Sequence, residues 1–343
     1  MDELAREQEN FRVRGIEISS FETGGFGNKR GQLKFLFFDI PQFVWKMMRF
    51  PDIVHFHVSV KGSFVRKFIF FILAKLLKRK TIFHLHAGNF TDFWAQSSKC
   101  IKFAIEYFVA KACATVAVSN AVGFELVNIG ADAGRLHIIG NSARFIEEAA
   151  GRNDGQTDQQ GATNYVAFAG RLTEEKGVRD LLAAVSLLKY EGVRVDVRLA
   201  GTGDTKKWAR YAESSGIDDQ VFFWGWLDGD EKINFLRNAR LFCMPSHYEA
   251  FGIATLEAMF CSLPVVGVNI GGFPDLVENQ VSGFLVEKSN KGALARCIRM
   301  LIEDRFLAER MGKAGARRAI DLYSTARVIE KYTECYEDMM ARA

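Results

Sequence analysis

Short apolar runs alternate with longer segments of helical periodicity along most of this 343-residue chain. Such alternation is typical of a parallel sheet whose connecting helices cover both of its faces. The first half predicts five strands and two helices. The strands are Gly15–Ser20, Ile53–His57, Thr81–His86, Thr115–Ser119 and Leu136–Ile139, and the helices are Phe64–Lys80 and Lys99–Ala112.

The same alternation begins again after Glu147–Thr163, a stretch without any large apolar residue that we interpret as an exposed linker. The second half predicts six strands, five helices and a final amphipathic helix, Ala326–Ala343. The strands are Tyr165–Ala169, Asp196–Ala200, Val221–Trp224, Leu241–Pro245, Pro264–Val268 and Phe284–Val286, and the helices are Gly177–Tyr190, Thr205–Ser214, Asp230–Asn238, Ile253–Cys261 and Lys291–Glu303.

Two halves of this kind predict an α/β protein with two doubly wound, Rossmann-like domains facing a cleft, where a small molecule would bind. We place the first domain at residues 1–146 and the linker at 147–163. The second domain then covers residues 164–323. The terminal helix, within residues 324–343, is expected to pack back toward the first domain.

Composition excludes several other classes of protein. The six cysteines lie far apart and form neither a Cys-x-x-Cys pair nor a Cys/His cluster, which argues against a disulfide scaffold or a zinc module. The acidic N-terminus lacks the apolar run of a signal peptide. The longest apolar run of the most hydrophobic region, Phe68 to Ala74, is too short to span a bilayer. We therefore expect an intracellular protein without a membrane-spanning segment.

Positive charge is concentrated in residues 23–111, where Lys and Arg far outnumber Asp and Glu and about half of the phenylalanines occur. This mixture fits an anionic membrane surface or a nucleic acid. A partner nucleic acid is not expected, because no helix-turn-helix, RNP or zinc-finger pattern accompanies the charge. We expect Phe64–Lys80 to face anionic lipid, although a buried sheet with basic connecting helices would give the same composition. Its basic residues are Arg66, Lys67, Lys75, Lys78, Arg79 and Lys80.

Two predicted strands are followed by loops that could hold an anion. Gly170 to Gly177 comes directly after a strand, where ligands of open α/β sheets bind, and it carries Arg171 and Lys176 beside a predicted helix N-terminus. These cations form a candidate diphosphate site, although a solvated loop would have the same composition. Gly201 and Gly203 follow the next strand, where they either admit a ligand close to the backbone or serve a tight turn.

The residues of two later loops indicate a binding site for a sugar or a ribose. Glu249 precedes a helix that opens near Gly252, and Glu257 lies in the second turn of that helix. Carboxylates accept hydrogen bonds from vicinal hydroxyls, and a helix N-terminus favours anions. Gly271 and Gly272 follow another strand and offer further amides.

These motifs, in this order, resemble glycosyltransferase family 4, whose members are retaining enzymes of the GT-B fold that use nucleotide-sugar donors. The resemblance runs from residue 165 to about 305. The first half resembles the family less strongly, through Pro51 to His57 and Thr81 to Gly88. The motifs are Gly170-Arg171, Lys176-Gly177, Glu249-x7-Glu257-Ala258, Pro264-Val265-Val266, Gly271-Gly272 and Ser282 to Val286.

The resemblance implies a role for each candidate residue. Arg171 and Lys176 would bind the donor diphosphate, Glu249 the hydroxyls of the transferred sugar, and Glu257 the ribose. His86, from the first domain, would approach the anomeric centre, so that the expected catalytic residues are His86, Glu249, Arg171 and Lys176. The remaining donor-binding residues would be Gly201, Gly203, Ala250, Phe251, Gly252, Gly271 and Gly272.

The same resemblance implies the reaction and its setting. The two cations would stabilise the leaving phosphate, a task that a divalent metal performs elsewhere, so neither a metal nor another cofactor is expected. We expect transfer to a lipid-linked or glycan acceptor in cell-surface polysaccharide biosynthesis. The protein would be cytoplasmic, on the inner face of the plasma membrane.

The chain departs from the family pattern at three places. His86 is followed by Ala87 where the family usually has glycine, and Asp275 stands where Gly-Gly-x-Pro usually continues with Glu. Arg14 to Ile18 already resembles the second strand of the family's first domain, and Gly24 to Gly27 comes too late to be its glycine-rich loop. The first domain therefore looks short by one βα unit. A non-catalytic nucleotide-binding or partner subunit is the alternative, and a sugar-nucleotide epimerase of the same fold is a weaker one.

Overall fold

The computed structural model describes residues 11–12, 14–22, 29–49, 51–88, 90–151 and 165–342. The chain forms two compact units. The first consists of Met1–Gly140 together with Val328–Ala343, and the second of Asn141–Arg327. Each unit is built on its own sheet, and all strand pairs in both sheets are parallel.

The sheet of the first unit has four strands in the order β1-β2-β3-β4 within the described residues. Its inner strands, β2 and β3, are almost entirely buried, as expected when helices cover both faces of a parallel sheet. All four strands agree with the sequence prediction to within two residues. They are β1 (Ile53–Val58), β2 (Lys80–Leu85), β3 (Ala114–Ala117) and β4 (Leu136–Ile138).

Six helices of the described residues between 29 and 129 accompany this sheet, and one π-helical turn, Phe35–Asp39, joins the first two. Two of the six, α3 and α5, were predicted from the sequence. The helices are α1 (Lys29–Lys34), α2 (Ile40–Arg49), α3 (Gly62–Leu76), α4 (Phe90–Gln96), α5 (Lys99–Lys111) and α6 (Asn120–Ile129).

The predicted strand Gly15–Ser20 is wrong, because residues 14–22 join no sheet. The segment begins with a turn, in which the Arg14 amide donates to the Phe11 carbonyl and Gly15 has a φ of +76°. Ile16 and Ile18 pack against the buried core of the unit, so their alternation reflects packing without ladder hydrogen bonds. The Gly24 to Gly27 run lies outside the described residues.

The sheet of the second unit has six strands in the order β10-β9-β8-β5-β6-β7. The chain moves from β5 outward to β6 and β7, then returns to the other side of β5 to build β8, β9 and β10. Ligands of such sheets bind at the carboxyl ends of the two strands where the order reverses, here β5 and β8. The strands are β5 (Tyr165–Ala169), β6 (Asp196–Ala200), β7 (Val221–Gly225), β8 (Leu241–Met244), β9 (Val265–Val268) and β10 (Gly283–Val286).

The helices of the second unit include all five that were predicted, and their ends agree with the prediction to within one residue. Three further helices, α7, α12 and α14, were not predicted. The eight helices in the part of this unit that the structure describes are α7 (Arg144–Gly151), α8 (Val178–Tyr190), α9 (Thr205–Ser214), α10 (Gly229–Arg237), α11 (Ile253–Phe260), α12 (Phe273–Leu276), α13 (Lys291–Glu303) and α14 (Arg305–Tyr323).

The segment interpreted as a linker begins inside α7, so residues 147–151 are helical. Residues 152–164 lie outside the described part of the chain. Glu147 of α7 accepts hydrogen bonds from the Thr325 amide and hydroxyl, both at 2.8 Å. These bonds satisfy donors at the first residue of the terminal helix, α15 (Thr325–Ala341).

Helix α15 contributes to the core of the first unit. Its buried residues Val328, Ile329, Tyr332, Cys335 and Met339 lie in one cluster with residues of β2 and β3. None of the helices in the described part of the chain combines the length and hydrophobicity that a bilayer crossing requires.

Candidate functional site

The loops after β5 and β8 meet at the switch point of the second sheet. The His247 amide donates to the Glu175 carbonyl at 2.7 Å, and the Ser246 hydroxyl donates to the same oxygen at 3.1 Å. Ser246 is fully buried, so this contact belongs to the folded core of the unit. Two loops that are about 70 residues apart in sequence therefore form one surface.

Lys176 and Glu249, one from each loop, form an ion pair at this surface. The Lys176 Nζ lies 2.6 Å from Glu249 Oε2, and the two side chains are 19% and 14% exposed. The sequence assigned them separate roles, and the structure brings them into direct contact. A partly buried, charge-assisted pair of this kind fixes both side chains at the carboxyl ends of the strands.

Arg171 lies one residue beyond Gly170, at the carboxyl end of β5, and is exposed. Within the described residues its guanidinium has no hydrogen bond or ion pair to another side chain. It is therefore a cation available to a ligand, on the same loop as Lys176.

The loop after β8 ends at α11. Gly252, with a φ of +103°, precedes its first residue, and Phe251 is buried with its ring 5.3 Å from that of Tyr323. The free amides and positive dipole end of a helix favour a bound anion. The predicted residues Ala250, Phe251 and Gly252 therefore lie where the backbone can contribute to anion binding.

Glu257, in the second turn of α11, pairs with Lys232 of α10 at 2.5 Å. The two side chains are only 13% and 23% exposed. Burial raises the pKa of Glu257, and the neighbouring Lys232 ammonium partly opposes this. Lys232 was not predicted from the sequence, because the pattern of an amphipathic helix does not show which lysine will contact a carboxylate of another helix.

His247 and Asp180 form a second pair that sequence analysis missed. His247 Nε2 lies 2.6 Å from a carboxylate oxygen of Asp180, which is 8% exposed and lies in the first turn of α8. The two are 67 residues apart in sequence, and only the parallel arrangement of β5 and β8 brings them together. The contact orients the His247 ring beside the loop that carries Glu249.

The predicted glycines have a steric role in the structure. A Cβ added at Gly201 would lie 1.8 Å from the Gly170 carbonyl oxygen, and one at Gly203 would lie 2.7 Å from the Leu172 carbonyl oxygen. Both glycines therefore allow the loops after β5 and β6 to touch. Their contact with a donor stays a prediction.

Gly271 and Gly272 hold the Glu249 loop in the same way. A Cβ at Gly271 would lie 1.9 Å from the Glu249 carbonyl oxygen, and one at Gly272 would lie 2.6 Å from the Phe251 Cα. The Gly272 amide donates to the Glu249 carbonyl at 3.0 Å. Glycine at these positions thus positions Glu249 through the backbone.

The Arg171–Lys176 loop is anchored by a buried tryptophan. Trp208 of α9 is 0% exposed, and its indole N–H donates to the Leu172 carbonyl at 2.9 Å. Buried indole groups normally have such a partner, because an unpaired buried donor is costly. The loop is therefore held in place at Leu172 by the buried core of the unit.

Glu174, in the same loop, contacts the Arg179 and Lys207 side chains at 2.7 and 2.9 Å. These contacts, the hydrogen bond from Arg179 first, lower the pKa of Glu174 from 4.5 to about 2. A carboxyl group whose pKa is lower in the folded chain than in the unfolded chain stabilises the folded state at pH values above its unfolded pKa. That stability is lost as the pH falls toward the pKa of the folded state. Because the group is 42% exposed, the effect is expected to be small.

We therefore expect Glu174→Gln to lose stability relative to the unmodified chain above pH 4.5, and the difference to vanish as pH approaches 2. Urea unfolding at a series of pH values measures this. Glu213→Gln, on an exposed position of α9, is the control. A Glu174→Gln difference that stays constant with pH would contradict the assignment.

His86 belongs to the first unit and follows β2. It is exposed, and its Nε2 lies 2.7 Å from Nδ1 of His57. Its expected place at the anomeric centre stays a prediction.

One Asp-x-Asp sequence occurs in the chain, Asp228-Gly229-Asp230, at the start of α10. Acidic side chains in a first helical turn are favoured by the helix dipole, which explains them without a metal. In the described part of the chain, these aspartates belong to no group of three possible metal ligands.

The arrangement of two Rossmann-like units, with cations and carboxylates at the switch point of the second, defines the class of GT-B glycosyltransferases. Residues 152–318 match the family described as Glycosyl transferases group 1. The chain is therefore similar to this family and to family 4, as expected from its motifs.

Several known proteins are similar to the chain. The capsular polysaccharide biosynthesis glycosyltransferase CapM of Staphylococcus aureus is 24% identical over 71% of this chain and 68% of its own length. The alpha-maltose-1-phosphate synthase of Mycobacterium tuberculosis is 30% identical over 68% of this chain. The alignment spans 65% of that relative, slightly less than two thirds.

Solved structures agree with the fold. Anabaena HepE, in complex with UDP and glucose, is similar over 96% of this chain and 88% of its own, with a TM-score of 0.72 and 21% identity. Staphylococcus aureus TarM is similar over 87% of this chain and 59% of its own, with a TM-score of 0.68 and 22% identity. Both likenesses confirm the GT-B fold.

Proposed function

We propose that this chain is a retaining glycosyltransferase that moves a sugar from a nucleotide-sugar donor to a lipid-linked or glycan acceptor. The observation that carries the proposal is the Lys176–Glu249 pair at the switch point of the second sheet, beside Arg171 and the start of α11. A cation for phosphate and a carboxylate for sugar hydroxyls lie side by side there, as transfer from a sugar diphosphate requires.

The pair suggests how the donor is received. A diphosphate carries more negative charge than the Glu249 carboxylate, so Lys176 would turn from Glu249 to the phosphate when the donor binds. Glu249 would then be free to accept hydrogen bonds from the sugar. Glu257, held by Lys232, would accept from the ribose hydroxyls.

The chemical step follows from the same charges. As the glycosidic bond breaks, negative charge develops on the departing phosphate and positive charge on the sugar. Arg171, Lys176 and the amides at the start of α11 would stabilise the phosphate, because the bound donor would already hold both cations in place when the bond breaks. In this proposal they perform the task of a divalent metal, and transfer is expected to continue in EDTA.

The nucleotide is proposed from the relatives. HepE was solved with UDP and glucose, and with UDP-glucose. UDP and UDP-hexoses are therefore the first probes, with GDP and ADP as comparisons.

Thermal unfolding with each nucleotide tests the donor site. At about one hundred times its dissociation constant, a ligand stabilises the folded chain by roughly 2.7 kcal/mol. We expect a shift with UDP that Glu257→Gln abolishes or reduces. Glu303→Gln, an exposed glutamate at the end of α13, should retain the full shift. No shift with any nucleotide would contradict the donor site.

A transfer assay separates an enzyme from a binding subunit. Consumption of the sugar nucleotide with formation of a glycosylated acceptor, unaffected by EDTA, supports the proposal. Nucleotide binding without turnover would favour the non-catalytic alternative.

We further propose that the protein docks on an anionic membrane through the segment 29–49. Six large apolar side chains there are 47–69% exposed, and exposed basic residues lie among them. Such a surface fits an interfacial helix pair that buries apolar residues among lipid headgroups. The apolar residues are Leu33, Leu36, Phe37, Phe38, Trp45 and Met48, and the basic ones Arg30, Lys34 and Arg49.

We prefer this surface to the expected one on Phe64–Lys80, whose contact with lipid stays a prediction. Phe64, Phe70 and Phe71 of α3 are buried in the core, and the helix ends at Leu76. Lys80 belongs to β2, where its Nζ donates to the Met339 carbonyl at 2.7 Å. The three phenylalanines therefore pack in the protein core, and Lys80 is bonded to the end of α15.

Vesicle binding tests the membrane proposal. Burying one phenylalanine is worth roughly 1.5–3 kcal/mol, so the double variant Phe37→Ser, Phe38→Ser is expected to weaken binding to phosphatidylserine vesicles by at least about tenfold. Phe306→Ser, which removes an 85% exposed phenylalanine from the second unit, is the control. Equal sedimentation of both variants with vesicles would contradict the proposal.

A further inference from the structure

Four of the six histidines of the chain lie on two neighbouring strands of the first unit. His55 and His57 lie on β1, His84 lies on β2, and His86 follows directly. Side chains two residues apart on a strand share a face, and His57 is the register partner of His84. The pattern His-x-His on both strands therefore gathers four imidazole rings on one face of the sheet.

The rings are close enough to share one ion. One ring nitrogen from each of His55, His57 and His84 lies within 4.8 Å of the others, the single such group of possible ligands in the described part of the chain. His55 Nε2 is 3.0 Å from His84 Nδ1, and the His84 and His86 ring centroids are 4.0 Å apart. Small side-chain rotations would bring three nitrogens to the roughly 2.0–2.1 Å distance of a zinc–imidazole bond.

His84 supplies a second, independent observation at this cluster. The side chain is 0% exposed, yet its Nε2 has no hydrogen-bond partner among the described residues. Buried polar atoms are nearly always paired, so an orphaned ring nitrogen inside a histidine cluster requires an explanation.

Tyr336 of α15 completes the arrangement. Its hydroxyl lies 2.8 Å from His55 Nδ1. Histidines that bind metals usually make a hydrogen bond through the second ring nitrogen, which fixes the tautomer and aims the first at the ion. Tyr336 leaves His55 Nε2 directed toward His84.

We propose that His55, His57 and His84 bind a divalent transition-metal ion of the zinc class. Three neutral imidazoles suit Zn²⁺, Co²⁺, Ni²⁺ or Cu²⁺, and the absence of carboxylates from the group disfavours Mg²⁺ and Ca²⁺. Water would fill the fourth position. His57 and His86 are not fully buried, so an ion can enter from solvent.

The proposed metal site shares no residue with the diphosphate-binding set. Its ligands lie on β1 and β2, so a bound ion would join these two strands. The ion would therefore act as a structural element of the first unit.

Titration of the metal-free full chain with Zn²⁺, and separately with Co²⁺ while visible absorption is recorded, tests the proposal. We expect one ion per chain and no response to Mg²⁺. His57→Ala, which removes a half-buried ligand, should weaken Zn²⁺ binding more than about 100-fold, and Tyr336→Phe about 10–100-fold. His137→Ala, which removes a histidine of the same unit outside the cluster, should leave the affinity unchanged.

Two results would overturn the proposal: no Zn²⁺ binding by the unmodified chain, or equal affinity in His57→Ala and His137→Ala. Circular dichroism of each variant shows that loss of binding is not loss of folding. None of these readouts depends on sugar transfer, so the metal site can fail while the proposed transferase stands, and the reverse.

Discussion

Replacing Arg171 by alanine is expected to lower kcat for sugar transfer by about 10²–10³-fold, the usual effect of removing one fixed group that stabilises developing charge. Arg171 is exposed at the carboxyl end of β5, and within the described residues its side chain bonds to no other side chain. Its removal should therefore change the free energy of unfolding by no more than about 0.5 kcal/mol. Initial rates at saturating donor, together with urea unfolding, measure both quantities.

Arg317→Ala is the matched control, since it removes an exposed arginine of α14 in the same unit. It should leave kcat and stability unchanged. An Arg171→Ala enzyme with a raised KM for the donor and an unchanged kcat would contradict the prediction, because Arg171 would then bind ground state and transition state equally.

Gly271→Ala is expected to destabilise the second unit by at least about 3 kcal/mol. An alanine in the left-handed region costs about 1–2 kcal/mol by itself. At this position, where φ is +54°, the added Cβ would also lie 1.9 Å from the Glu249 carbonyl oxygen, so the backbone must move. The movement would displace Glu249, and transfer activity should fall in whatever fraction remains folded.

Gly216→Ala separates the two costs. Gly216 has a similar φ of +65°, but nothing lies within 4 Å of its added Cβ. We expect it to show only the conformational cost of about 1–2 kcal/mol and full activity. Urea unfolding measures the loss of stability in each variant. Equal losses of unfolding free energy would contradict the prediction, because they would mean that the Glu249 loop moves at no cost despite its close packing.

All six strands and five of the eight helices described in the second unit were predicted from the sequence. Its inner strands, such as β5 and β8, are buried throughout and read as continuous apolar runs between loops, which is a strong local signal. The first unit was predicted less well. The apolar alternation of residues 15–20 looked like a strand. The exposed aromatic residues Phe37 and Phe38 of the π-helical turn and Trp45 of α2 hid the helical pattern.

Site residues were predicted where a loop follows a strand, and missed where the partner comes from a distant helix. Arg171, Lys176 and Glu249 were found because ligand-binding loops follow parallel strands. Lys232 and Asp180 were not, since each acquires its role from one side chain far away in the sequence.

The sequence by itself determined the class of fold, the succession of strands and loops along the chain, and the charged residues that those loops carry. These features depend on local periodicity and on motifs. The tertiary structure alone decided which charges neutralise each other, which glycines are needed for loops to touch, and that four histidines share one face. Those properties depend on distances between segments that are far apart in the chain, and local patterns carry no information about such distances.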